Sequence, residues 1–138
     1  MEEKIEGHYK VMSAVATEFE NLVKQKFSYE SQLNDLRTEA VSYEDKVYEQ
    51  VYNEVTEEGK KKYANSDLRD IEQKRRLNEI DGYLQIKKAI WKLEIDLSKS
   101  KADLEVAERR LKVLSKQADL LVALTNYKAS ENVRGQEK

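Results

Sequence analysis

The sequence predicts an all-α fold: a long antiparallel helical hairpin of coiled-coil type, with a short basic helical segment at the bend, assembling into a multi-helix homo-oligomer. Three observations carry that expectation. Apolar residues recur in alternating steps of three and four along two long ladders, a period that keeps one seam of a helix turned toward a partner. The 138 residues contain no proline, where ordinary usage supplies about seven, so nothing of that kind breaks a long helix. Charged residues make up 38% of the chain, a composition typical of a coiled coil rather than of a globule with a wide core.

The first ladder runs Ile5, His8, Met12, Val15, Phe19, Leu22, Lys26, Tyr29, Leu33, Leu36, Ala40, Tyr43, Val47 and predicts a helix over residues 3–58. His8, Lys26 and Tyr29 stand on its seam, where a polar or bulky residue fixes register at some cost in stability. Near Val47 the line divides into Val47, Val51, Val55 and Tyr48, Tyr52, as at a stutter where a coil locally unwinds. Gly59 is expected to close this helix in the left-handed conformation common at C-termini.

Residues 59–81 read as a basic bend with a short helix from Asp67 to about Glu79. Asn65 and Ser66 are suitable N-caps, and Asp67 and Asp70 suit the positive end of a helix dipole. Leu68, Ile71, Leu77 and Ile80 are its apolar positions. Asp81 is expected to cap the last helix, residues 82–127. Its ladder runs Ile86, Ile90, Leu93, Leu97, Ser100, Leu104, Ala107, Leu111, Leu114, Ala118, Leu121. Residues 128–138 read as a flexible tail.

A two-helix hairpin buries one narrow seam. At roughly 25 cal/mol per Å² of apolar area, that burial hardly offsets chain entropy. The sequence therefore predicts assembly with further copies through Phe19, Leu22, Leu33, Leu36, Ile90, Leu97, Leu104 and Leu111. Val11, Val23, Val41, Leu84, Leu120, Val122 and Leu124 lie outside the strict seams and offer a second contact.

Several classes of chemistry find no support in the sequence. With no cysteine there is no disulfide framework, thiolate metal site or thiol nucleophile, which suits a reducing cytoplasm. The segment MEEKIEGHYK lacks the apolar core of a signal peptide, and no apolar run approaches the roughly 18 residues of a membrane span. The expectation is a cytoplasmic protein without a membrane partner. His8 is the only histidine and stands on a seam, so its expected role is structural. Adjacent acids such as Glu2/Glu3, Glu44/Asp45 and Glu57/Glu58 point apart on a helix surface. No phosphate-cradling loop, dinucleotide fingerprint or nucleophile elbow is present. The reading is a non-enzyme with no metal, cofactor or small-molecule substrate.

Charge supplies the one functional signal. Residues 1–59 carry 6 basic and 14 acidic groups, residues 60–92 carry 10 and 5, and residues 93–138 carry 9 and 8. The net charge of −2 thus conceals a basic middle. Lys60, Lys61, Lys62, Arg69, Lys74, Arg75 and Arg76 gather there, followed by Lys87 and Lys88, with Tyr63 and Tyr83 among them. Cations that follow a phosphate backbone beside aromatic rings on which bases stack are what single-strand binders use. The opposing reading is a solvated surface whose lysines pair with the acidic first arm. Arg109, Arg110, Lys112 and Lys116 are more dispersed and fit pairing along the coil.

The stretch from Tyr63 through Asn65, Asp67 and Arg69, followed by Arg76, Leu77, Asp81 and Tyr83, resembles a pattern in small coiled-coil proteins of phage and prophage early regions. The resemblance covers about residues 63–114. It implies an accessory protein for DNA recombination or replication, loosely similar to phage recombination mediators, which oligomerise and load a recombinase onto single-stranded DNA. On that reading Lys60, Lys61, Lys62, Arg69, Lys74, Arg75 and Arg76 take phosphates, and Tyr63 and Tyr83 stack on bases. The partner is single-stranded DNA or a protein that coats it, a recombinase or single-strand-binding protein. The alternative is a coiled-coil interaction module, an adaptor or an inhibitor of a host protein, without affinity for DNA.

Overall fold

The computed structural model describes residues 2–137. Its helices are α1 (Glu2–Asn53), α2 (Ser66–Leu77) and α3 (Asp81–Glu137). All are helical by the same logic: no proline, few glycines, and apolar residues every three or four positions.

The element order is the expected one, but the ends differ. Helix α1 stops at Asn53 rather than 58, because the chain beyond it pairs with itself. Thr56 N donates to Lys60 O at 2.7 Å and Lys62 N to Glu54 O at 3.0 Å, so Val55 and Lys61 face each other as a small antiparallel bridge. Gly59, expected as a helix terminator, instead turns this loop. Its φ of +79° is one that residues with a Cβ rarely adopt, and its N–H donates to Thr56 O. Asn65 does cap α2, accepting from Leu68 N at 2.9 Å. The short helix covers 66–77 rather than 67–79, and Asp81 is the first residue of α3 rather than a cap before it. Helix α3 continues through residues 128–137, where the sequence reading placed a flexible tail, since nothing after Tyr127 opposes helix formation except Gly135. Lys138 lies outside the described residues.

The chain divides into two compact units. Residues 28–98 form the first, with a core of Leu33, Ala40, Val47, Val51, Leu77, Tyr83 and Ile90. Leu36, Tyr43, Tyr63, Ile80, Ile86, Leu93 and Leu97 pack around it. Val47 and Val51 are both buried, so the slip in the ladder is accommodated without loss of cover, while Val55 lies outside in the loop. Helix α2 contributes Leu77 to this core, but Leu68 and Ile71, the other apolar positions of that helix, are exposed. The cross-helix pairs Arg37–Glu94 and Glu44–Tyr83 have reversed order in sequence, so α1 and α3 are antiparallel within this unit.

The second unit joins residues 1–27 to residues 99–138. Its buried side chains are small: Val15, Ser100, Ala107 and Ala118. His8 Nε2 donates to the Leu114 carbonyl at 2.5 Å, which satisfies the polar seam position anticipated as structural. The residues expected to join copies are covered, wholly or in part, by their own chain. Leu33 and Ile90 are buried, and Phe19, Leu22, Leu36, Leu97, Leu104 and Leu111 are half-buried.

Candidate nucleic-acid interface

The basic segment folds around two carboxylates of its own, Glu72 and Glu79, and one brought from outside it, Glu54. Glu54, just past the end of α1, receives Arg76 and also Lys62 Nζ at 3.3 Å. Arg76 Nε then reaches Glu72 Oε1 at 2.8 Å. Arg75 closes the chain of pairs, 2.6 Å from Glu72 and 2.8 Å from Glu79. Glu72 and Arg76 are spaced to meet on one face of α2, while Glu54 comes from elsewhere in the unit. Hydrogen bonds from Arg75 and Arg76 hold the Glu72 carboxyl down at about 2, and those from Arg76 and Lys62 lower that of Glu54. The same bonds raise Arg76, Arg75 and Lys62 above their ordinary values. Of the three cations expected to take phosphates, Arg76 is largely covered and held by two carboxylates, whereas Arg75 and Lys62 are paired at the surface with about half of each side chain exposed.

A second group of cations is occupied by aromatic rings and carbonyls. Arg69 Nε donates to the Tyr48 hydroxyl at 3.2 Å and Nη1 to Tyr63 O at 3.3 Å, with its guanidinium 5.3 Å from the Tyr52 ring centre. Lys61 Nζ donates to Tyr52 O at 3.0 Å and stands 4.1 Å over the same ring. Tyr48 and Tyr52 stack with centres 6.5 Å apart. Neither Arg69 nor Lys61 has a carboxylate partner among the described residues, so each keeps an uncompensated charge.

The two tyrosines expected to stack on bases behave differently. Tyr63 is half-buried, its ring between Lys62 Nζ at 5.6 Å and Arg76 at 5.8 Å. Tyr83 is a core residue with 8% exposure, tilted against Tyr43, and its hydroxyl donates to Glu44 Oε1 at 2.7 Å. Burial, then the hydrogen bond to Glu44, pushes the Tyr83 phenol up to about 12. A ring held this way has no face for a base, so Tyr83 leaves the stacking set. Its seam-like burial follows from its position three residues before Ile86 on the ladder of α3.

What remains free is part of the set the sequence singled out, together with Lys92 and Trp91, which it did not. Lys60, Lys74, Lys87, Lys88 and Lys92 are exposed, with no carboxylate in ion-pair range among the described residues. Trp91, the only tryptophan, is 67% exposed on α3 beside Lys92. The sequence reading passed over it. The available signal was a large aromatic off the Ile90–Leu93–Leu97 seam, flanked by lysines.

Among the described residues no group of His, Asp and Glu could hold a metal ion, and no helix is long and apolar enough to cross a membrane. Compared with protein-family models, curated proteins and solved structures, the chain matches none. Fold and surface alone define its class: an all-helical chain whose basic segment is half neutralised and half open.

Proposed function

We propose that this chain is a non-enzymatic accessory protein that binds single-stranded nucleic acid, of the kind that assists phage-type DNA recombination or replication. It acts as an oligomerising helical hairpin, in the cytoplasm. The observation that carries the reading is selective neutralisation. Glu54, Glu72 and Glu79 quench Arg75, Arg76 and Lys62, while Lys60, Lys61, Arg69, Lys74, Lys87, Lys88 and Lys92 stay without carboxylate partners in the same unit. The local excess of cations over residues 60–92, 10 basic against 5 acidic, attracts a polyanion and releases its counterions, which makes affinity fall with salt.

The test is fluorescence anisotropy of a labelled single-stranded oligonucleotide, titrated at low and at physiological salt. The expected result is binding that weakens steeply with salt. Neutralising Lys60 and Lys74 together should flatten the logarithmic salt slope by about 1.4, from about 0.7 per phosphate contact on a single strand. Absence of binding at low salt removes the reading.

A second reading, a protein-interaction coil, has its own observation. Val106, Val113, Leu120 and Tyr127 repeat every seven residues on α3, and all are more than half exposed. A stripe of that period suits another helix. Val113→Glu with Leu120→Glu should lower the mass measured by light scattering if the stripe joins copies or partners. An unchanged mass of the isolated protein would remove its role in self-assembly.

A further inference from the structure

We infer that the face of α3 formed by Leu84, Lys87, Lys88, Trp91 and Lys92 is a stacking site for a base of single-stranded nucleic acid, with the lysines holding the flanking phosphates. The inference rests on the nucleic-acid reading above and gives it an address that the sequence did not.

Trp91 lies four residues after Lys87 and three after Lys88, the spacings that bring side chains together on a helix. Leu84, Lys87, Lys88 and Trp91 line one groove of about 350 Å³, together with Asp81 and Gln85. Leu84 is half-buried and forms its apolar floor, and the indole is 67% exposed. The acid at the groove's end is occupied: Gln85 Nε2 donates to Asp81 Oδ2 at 3.3 Å. Glu94, the next carboxylate along α3, is engaged by Arg37 at 3.1 Å. Lys87, Lys88 and Lys92 therefore face outward with no ion-pair partner among the described residues, and three cations stand against the single charge of Asp81.

An exposed tryptophan costs apolar hydration, and uncompensated lysines around it repel one another. Both penalties are relieved by a planar ring carrying an anionic strand. A base covers the indole face while its own phosphates meet Lys87 and Lys88. An apolar peptide segment would cover the indole but strand the ammonium groups beside it without partners. The site needs no hydrogen-bond readout of base edges, so it discriminates little among sequences.

Because Trp91 is the only tryptophan, its emission reports this face and no other. The experiment titrates the full chain with an oligothymidylate while recording tryptophan emission and, in parallel, anisotropy of the labelled strand. The expected result is quenching that saturates with the anisotropy and reverses with added salt. Trp91→Ala should weaken binding by roughly 5- to 150-fold, the span one stacked base contributes, whereas Trp91→Phe should retain most of it. Helicity by circular dichroism should be unchanged in both, as the side chain lies outside the core. Anisotropy that rises without any change in emission, or Trp91→Ala binding at full strength, overturns the stacking site while leaving the broader function intact. No binding by either signal at low salt overturns both.

Discussion

The two units are built from the same pair of helices but solve burial differently. Residues 28–98 have α2 as well as α1 and α3, and their core holds Leu33, Val51, Leu77, Tyr83 and Ile90. The unit made of residues 1–27 and 99–138 has two helical segments only, and its buried residues are Val15, Ser100, Ala107 and Ala118. Small residues let two helices approach closely, but they remove little apolar area from water. The exposed stripe Val106, Val113, Leu120 and Tyr127 belongs to this second unit. A third helix thus decides how much of a heptad chain is satisfied from within.

The sharpest way to break the comparison is a core truncation. Leu33→Ala, at a side chain 2% exposed, should cost about 2–5 kcal/mol. Leu104→Ala, half-buried in the other unit, should cost about 1–2 kcal/mol. Urea denaturation of both variants gives the ratio, and equal losses would show that the two units are equally dependent on large side chains. Tyr83→Phe comes next, at about 1.5–3 kcal/mol for a hydrogen bond to a charged acceptor. The phenol is raised from 10.0 to about 12, so its contribution is complete below pH 10 and is lost as pH climbs through 12. The variant should lack that alkaline decline in melting curves.

Acid acts on the ionic chain of the same unit. Glu72 is lowered from 4.5 to about 2 by its arginine partners, so its contribution is complete above pH 4.5 and disappears as pH falls through 2. Glu72→Gln should flatten that part of the melting profile; an acid limb unchanged from the parent would place it on other groups. The smallest effect is expected at Ser100, buried with its hydroxyl unpaired among the described residues. Ser100→Ala should be neutral or stabilising by about 1 kcal/mol, because it removes an unsatisfied polar atom.

The ladders were legible because a seam of period 3.5 is a local property of sequence. Ile90, Leu33 and Ala40 fell where the spacing put them, and Asn65 capped where its side chain allowed. The end of α1 was hidden because Glu54–Thr56 leave the helix to pair with Lys60–Lys62, a choice visible only with both segments in view. The pairs of Arg75 and Arg76 with Glu72 and Glu79 stand at helical spacing and were legible, but the part Glu54 plays was hidden for the same reason. Arg76 is bound by Glu54, 22 residues away, and no pattern of neighbours announces that pair. The basic surroundings of Tyr83 in sequence suggest an open ring, although its place three residues before Ile86 continues the α3 ladder inward.

The loop after α1 has a practical consequence. Glu57 and Glu58 sit at its exposed tip, below which two backbone hydrogen bonds already fasten the ends together. An epitope or a fluorophore grafted between them adds little closure entropy, since the anchoring bonds lie outside the graft. The chain thus offers a handle for surface immobilisation that leaves Trp91 untouched as an optical reporter.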